Sequence, residues 1–183
     1  MSIKYKFRNP EGIYFVSFAV VNWLDVFTRN IYREILCESF SFCQVKKGLN
    51  IYAYVIMPNH VHMIMSRTGE IQPESIMRDL KKFTSNEIIH SIINNPRESR
   101  KEWMLKMFEE EGKNNSNNTK YQFWQQDNHP IELVTNEMQN QRLNYVHNNP
   151  VEAGFVHRPE DYPWSSAQDY AGINGPVKVL LLN

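Results

Sequence analysis

Residues 50–66 read NIYAYVIMPNHVHMIMS, two apolar runs on either side of Met57, Pro58 and Asn59. Pro and Asn supply turn chemistry between segments rich in β-branched and aromatic residues, so the stretch predicts a hairpin of two strands. Side chains alternate faces along a strand, which sets His60 and His62 side by side on one face of the second strand. Such a pair is half of a metal site, or an exposed pair on a half-solvated strand; spacing alone leaves both open.

Upstream, residues 13–21, IYFVSFAVV, predict a strand buried on at least one face, followed by a helix from about Asn30 to Lys47 that Gly48 stops. Downstream, Pro73 opens a second helix reaching about Asn94, with Ile76, Leu80, Phe83, Ile88 and Ile92 near helical spacing. Residues 97–111 carry an amphipathic trace through Trp103, Leu105, Met107 and Phe108. A polar, Asn-rich loop then runs over residues 112–120. YQFWQQDNHPIELVT, residues 121–135, is expected to be a further strand with an irregular middle, limited to an edge by Pro130. Asn136 is expected to cap a helix to about Asn148, ended by Pro150 and Gly154, and the tail rich in turn residues to wrap the surface. Together these predict one α+β domain over residues 1–183, an antiparallel sheet with helices packed on it.

The chain has 183 residues, enough to bury a core without a structural metal. Twenty Lys plus Arg balance twenty Asp plus Glu, so nucleic acid would have to be bound through local patches rather than bulk charge. One candidate patch is Arg78, Lys81 and Lys82, which helical spacing gathers on one face; a solvated helix face explains the trio equally well. Cys37 and Cys43 fall on different faces of one helix and read as buried free thiols. No apolar run approaches the about 18 residues of a membrane span and no secretory signal is visible. The expected place is cytoplasmic, with no membrane partner.

In QNQRLNYVHNNP, residues 139–150, Tyr145 and Asn149 are one helical turn apart and share a face. Phenol, amide and two imidazoles suit phosphoryl transfer. Core packing for Tyr145 and helix-end chemistry for Asn149 account for the same residues without any reaction.

YVIMP at 54–58, NHVH at 59–62, LKKFTS at 80–85, YVHNNPVEAGFV at 145–156 and PWSS at 163–166 together resemble the single-tyrosine HUH transposases, most closely the REP-associated tyrosine transposases and their insertion-sequence relatives. The resemblance runs from about Tyr14 to Tyr170. It implies a ferredoxin-like sandwich with a C-terminal extension from about 155, and residues at about 97–120 depart from the relatives as an insertion. It further implies that His60, His62 and Asn149 hold a divalent cation, Mg²⁺ or Mn²⁺, and that Tyr145 attacks a phosphodiester. The substrate would be single-stranded or hairpin DNA, nicked and rejoined through a 5′-phosphotyrosine by an enzyme associated with the bacterial nucleoid. Arg78, Lys81 and Lys82 would hold the DNA backbone, while Phe123, Trp124 and Trp164 either stack on bases or pack in the core. Relatives act as homodimers or single chains, so a homodimer is possible. A non-catalytic hairpin-binding protein and a water-using metal phosphodiesterase remain the competing readings.

Overall fold

The computed structural model describes residues 6–114 and 120–182. Its elements in chain order are β1 (Tyr14–Ala19), α1 (Asn30–Lys47), β2 (Leu49–Ile56), β3 (His60–Arg67), α2 (Pro73–Asn94), α3 (Lys101–Lys113), β4 (Ile131–Glu132), α4 (Asn136–Glu152) and α5 (Ala167–Tyr170). Among the described residues the strands form one antiparallel sheet in the order β2-β3-β1-β4. A strand-helix-strand-strand-helix-strand chain with that order is a ferredoxin-like sandwich. The expected polar loop at 112–120 is described only in part, because residues 115–119 lie outside the described residues.

Period-two alternation sorts the sheet into two faces. Val16 and Phe18 of β1 and Val61, Met63 and Met65 of β3 join Leu36 and Phe40 of α1 and Ile76 and Leu80 of α2 in the main core. Phe15, Val55 and Ile64 point the other way, where Val146 of α4 and Tyr162 close a smaller cluster. The sheet thus lies between the α1–α2 layer and α4. Within the segment anticipated as an insertion, Met104 and Phe108 belong to the main core, and Phe108 packs against Phe123. Cys37 and Cys43 are free and buried. Among the described residues no helix is long and apolar enough to cross a membrane.

Three local expectations are revised. The strand anticipated over 121–135 shrinks to Ile131–Glu132, plus one isolated bridge between Val20 and Trp124; Pro130 has no N–H for a ladder, and His129 turns the chain with φ 42°. Thr135 rather than Asn136 caps α4, its side chain accepting from the Met138 N–H at 3.2 Å. The helix then continues through Pro150 to Glu152. A proline so near the end removes only one helical hydrogen bond, and Gly154, at φ 76°, ends the turn.

The tail does more than wrap the surface. Ser165 and Ser166 are fully buried, and this stretch hydrogen-bonds along the outer edge of β2, through Ile56 N–H to Trp164 O at 2.9 Å and Ser166 N–H to Tyr54 O at 3.0 Å. It covers an edge that would otherwise offer unpaired backbone groups to other chains.

Gly48 ends α1 with φ 71°, and a Cβ there would run into the carbonyl oxygen of Thr68. Gly48→Ala therefore combines backbone strain with a clash at the β2–β3 edge and should cost about 1–3 kcal/mol, read as a lower urea midpoint with an unchanged slope.

Candidate active site

His60 and His62 emerge from β3 on the α4 face of the sheet, with ring centroids 4.7 Å apart. The pairing of Ala19 with His60 and Ser17 with His62 fixes their position beside β1. His62 is 7% exposed and its ring stacks on Phe15 at 5.4 Å. Burial above all, then the neighbouring His60 and the Arg142 charge, pull its pKa down to about 3, so it is neutral at any ordinary pH. Burial lowers His60 as well.

Asn59 fixes the tautomer of His60. Its amide nitrogen donates to Trp23 O at 3.2 Å and Asp25 Oδ1 at 2.8 Å, which orients the side chain. Its Oδ1 must then accept from His60 Nδ1 at 2.7 Å, leaving the lone pair of neutral His60 on Nε2. The nearby Asn149 amide partly offsets the effect of burial on His60. At His62, Nδ1 is buried without a hydrogen-bond partner, while Nε2 lies 3.4 Å from the hydroxyl of Tyr145.

Arg142, Tyr145 and Asn149 lie three and four residues apart on α4 and so share one face. Tyr145 is 37% exposed, its ring edge-on to Phe15 at 5.9 Å. The Arg142 guanidinium lies 5.8 Å from the Tyr145 ring centroid and 5.0 Å from that of Phe15. It forms no ion pair among the described residues, which leaves a positive charge beside a phenol. Sequence reading missed Arg142, although its three-residue offset from Tyr145 was a usable signal; it also missed Asn59, whose role depends on a loop distant in sequence.

Two imidazoles and a carboxamide fit a divalent cation, and the orphaned His62 Nδ1 is a buried polar atom without a protein partner. Among the described residues no group of three or more His, Cys, Asp or Glu side chains could hold a metal. The donor set around His60 is thus neutral throughout and would leave the charge of an ion to be balanced by an anionic substrate.

The basic trio on α2 does not join this site. α2 packs on the opposite sheet face, and Lys81 is drawn inward, donating to Gln125 O at 2.6 Å and Asn128 Oδ1 at 2.9 Å. Burial lowers its pKa to about 8. Helical spacing reported the shared face correctly but not the loop folded over it, which engages Lys81 through Gln125 and Asn128. Arg78 and Lys82 stay exposed, Arg78 beside Asp79. Phe123 and Trp124 are core residues, 1% and 5% exposed, and the Trp124 indole N–H donates to Thr84 Oγ1 at 3.0 Å. Trp164 is partly buried, with Arg33 over its ring at 5.4 Å.

A helix bearing a tyrosine, an amide and an arginine thus faces two imidazoles on a central strand of a ferredoxin-like sheet. The sequence model of IS200-like transposases matches residues 14–111, more than half of the chain, and the chain belongs to that family. The match covers the histidine strand and stops short of α4. A structure described as a REP-associated tyrosine transposase bound to a REP hairpin superimposes with TM-score 0.66 at 18% identity, covering 100% of this chain and 94% of that one. A second, from Deinococcus radiodurans R1 and described as a transposase, has 16% identity and TM-score 0.43 over 81% of this chain and 97% of that one. No curated protein matches.

α4 is held from behind by His147, which is 9% exposed and has its Nε2 2.9 Å from Ser166 Oγ. Burial pulls the His147 pKa to about 4 from 6.5. The unfolded chain therefore takes up the proton first, so the contribution of neutral His147 is complete above pH 6.5 and declines as pH falls toward 4. Urea midpoints measured across that window should fall more steeply for the native protein than for His147→Gln.

Proposed function

We propose that this chain nicks single-stranded DNA at a hairpin and rejoins strands through a covalent 5′-phosphotyrosine on Tyr145. The observation that carries the reading is the Tyr145 hydroxyl 3.4 Å from His62 Nε2, with Asn149 one turn along on the same face of α4. Membership of the IS200-like transposase family supports DNA as the substrate. The hairpin is suggested by the structural neighbour that is described as bound to one.

In this reading Tyr145 Oη attacks the phosphorus, the bond from phosphorus to the 3′-oxygen breaks, the phenol proton is lost to solvent and the departing 3′-oxygen takes a proton from solvent. The products are a 5′-phosphotyrosine and a free 3′-OH. The new ester resembles the old one in energy, so attack by another 3′-OH reverses the step and joins strands without ATP. His62, so far below its usual pKa range, acts as a ligand rather than a proton acceptor. His60, His62 and Asn149 would hold Mg²⁺ or Mn²⁺, which supplies Lewis-acid polarisation of a phosphate oxygen. Arg142 places its charge where the entering phosphate and the developing phenolate lie. Arg78 and Lys82 are left to steady the DNA backbone farther from the reacting phosphate.

The test uses 5′- and 3′-labelled hairpin oligonucleotides from the flanks of the chain's own gene, with Mn²⁺ or Mg²⁺, read on denaturing gels. A protein-linked band is expected, absent in Tyr145→Phe and reduced about 10²-fold or more in His60→Ala and His62→Ala. Metal-dependent cutting that survives Tyr145→Phe would replace the reading with a water-using phosphodiesterase. Binding without an adduct under any metal would leave a hairpin-binding protein.

Arg142→Gln should slow adduct formation by about 10²-fold while leaving the urea midpoint near that of the native protein. Because the proposed ligands are neutral, Mn²⁺ followed by its electron spin resonance signal should bind more tightly when the hairpin is present, and the hairpin more tightly when Mn²⁺ is present, by the same factor.

A further inference from the structure

The loop from β1 to α1 carries a feature that the proposed reaction does not use. Asn22 and Trp23 are consecutive non-glycine residues in the left-handed region, with φ 53° and 54°, a conformation that a bulky aromatic residue rarely adopts. The Trp23 side chain gains little burial in return, since the residue is 58% exposed. Nearby Phe27, Phe123 and Trp124 are buried. A lone exposed aromatic residue needs no explanation; one held in a strained backbone points to a function.

The strain persists because neighbouring groups hold it. Val21 N–H donates to Phe123 O at 2.9 Å and Trp23 N–H to Val20 O at 3.1 Å. The Asn22 amide reaches Glu111 Oε1 at 3.1 Å. Most informative is Asn59, which binds the Trp23 carbonyl with its nitrogen and His60 Nδ1 with its oxygen. A single amide therefore fixes the orientation of the imidazole and ties down the backbone that carries the indole. The two rings meet nearly perpendicular, centroids 5.8 Å apart at 74°.

We infer that Trp23 is a stacking platform for an unpaired nucleobase adjoining the phosphate held at His60. This rests on the reading that a phosphodiester of single-stranded DNA sits at the His60–His62 pair. Next along a nucleic acid chain from a phosphate comes a base, and a flat exposed indole in a rigid loop offers it a partner. Stacking uses the π-face that every base has. The platform therefore selects for unpaired DNA at the reacting position rather than for a particular base, since a paired and stacked base has no free face to offer.

The test measures binding of hairpins with single-stranded flanks, taken from beside the chain's own gene, in which each flanking nucleotide in turn lacks its base. Loss of one base should weaken binding to the native protein roughly 5- to 150-fold. Trp23→Asn should weaken binding to the intact hairpin by a similar factor and remove the penalty at that position. Asn tolerates the left-handed region, so this variant should be at least as stable as the native protein, which separates loss of stacking from loss of fold. Trp23→Phe should restore most of the binding. Intact-hairpin binding by Trp23→Asn equal to that of the native protein, or an abasic penalty that persists in it, overturns the platform, as does absence of hairpin binding by the native protein. Native binding with the expected Trp23 dependence but without a tyrosyl adduct overturns the nicking reaction alone.

Discussion

The register between β1 and β3 is the constraint on which the site depends. With Ser17 opposite His62 and Ala19 opposite His60, even-numbered residues of β3 turn toward α4 and odd-numbered ones toward α1 and α2. A slip of one residue would carry both imidazoles into the main core and expose Val61 and Met63. Burial of Val61, Met63 and Met65 at 0% exposure thus holds the histidines in place, and their own burial on the other face lowers the pKa of both. Core packing and the placement of the two imidazoles are set by one alternation.

The second requirement is that α4 be held at a fixed height over that strand. Val146 packs into the smaller cluster with Phe15, Val55 and Tyr162, and His147 bonds Ser166, whose hydroxyl also accepts from the Tyr54 N–H at 2.9 Å. The tail beyond α4 therefore connects the helix to the far edge of the sheet. With Val146 and His147 facing inward, Arg142, Tyr145 and Asn149 are turned toward the imidazoles.

Charge is distributed by the same economy. The carboxylate of Glu98, 4% exposed, is met by Arg29 at 2.7 Å and Arg100 at 3.1 Å. These partners outweigh its burial and hold its pKa down at about 2. Arg100 also donates to Asp25 O at 2.7 Å, so this ion cluster around buried Glu98 braces the start of α3 against the loop that carries Trp23. At the imidazoles themselves there is no such compensation: neutral rings, an amide and the Arg142 guanidinium make a locally positive surface in a chain with no net charge. An anion gains there what the protein has left unpaired.

Much of the architecture was legible in the sequence. Alternating apolar runs in 50–66 specify a hairpin, helical spacing delimits α1 and α2, and the two-residue offset of the histidines and the four-residue offset of Tyr145 and Asn149 each define one shared face. These are local periodicities, and a few neighbouring residues suffice to express them. Only the tertiary structure decided that the two faces meet, that Lys81 folds inward, that the 121–135 segment is mostly irregular and that Asn59 links Trp23 to His60. Those outcomes depend on contacts between residues far apart in the chain, such as His62 with Tyr145 or Lys81 with Gln125. Periodicity says which side chains travel together along an element, but not what that element packs against.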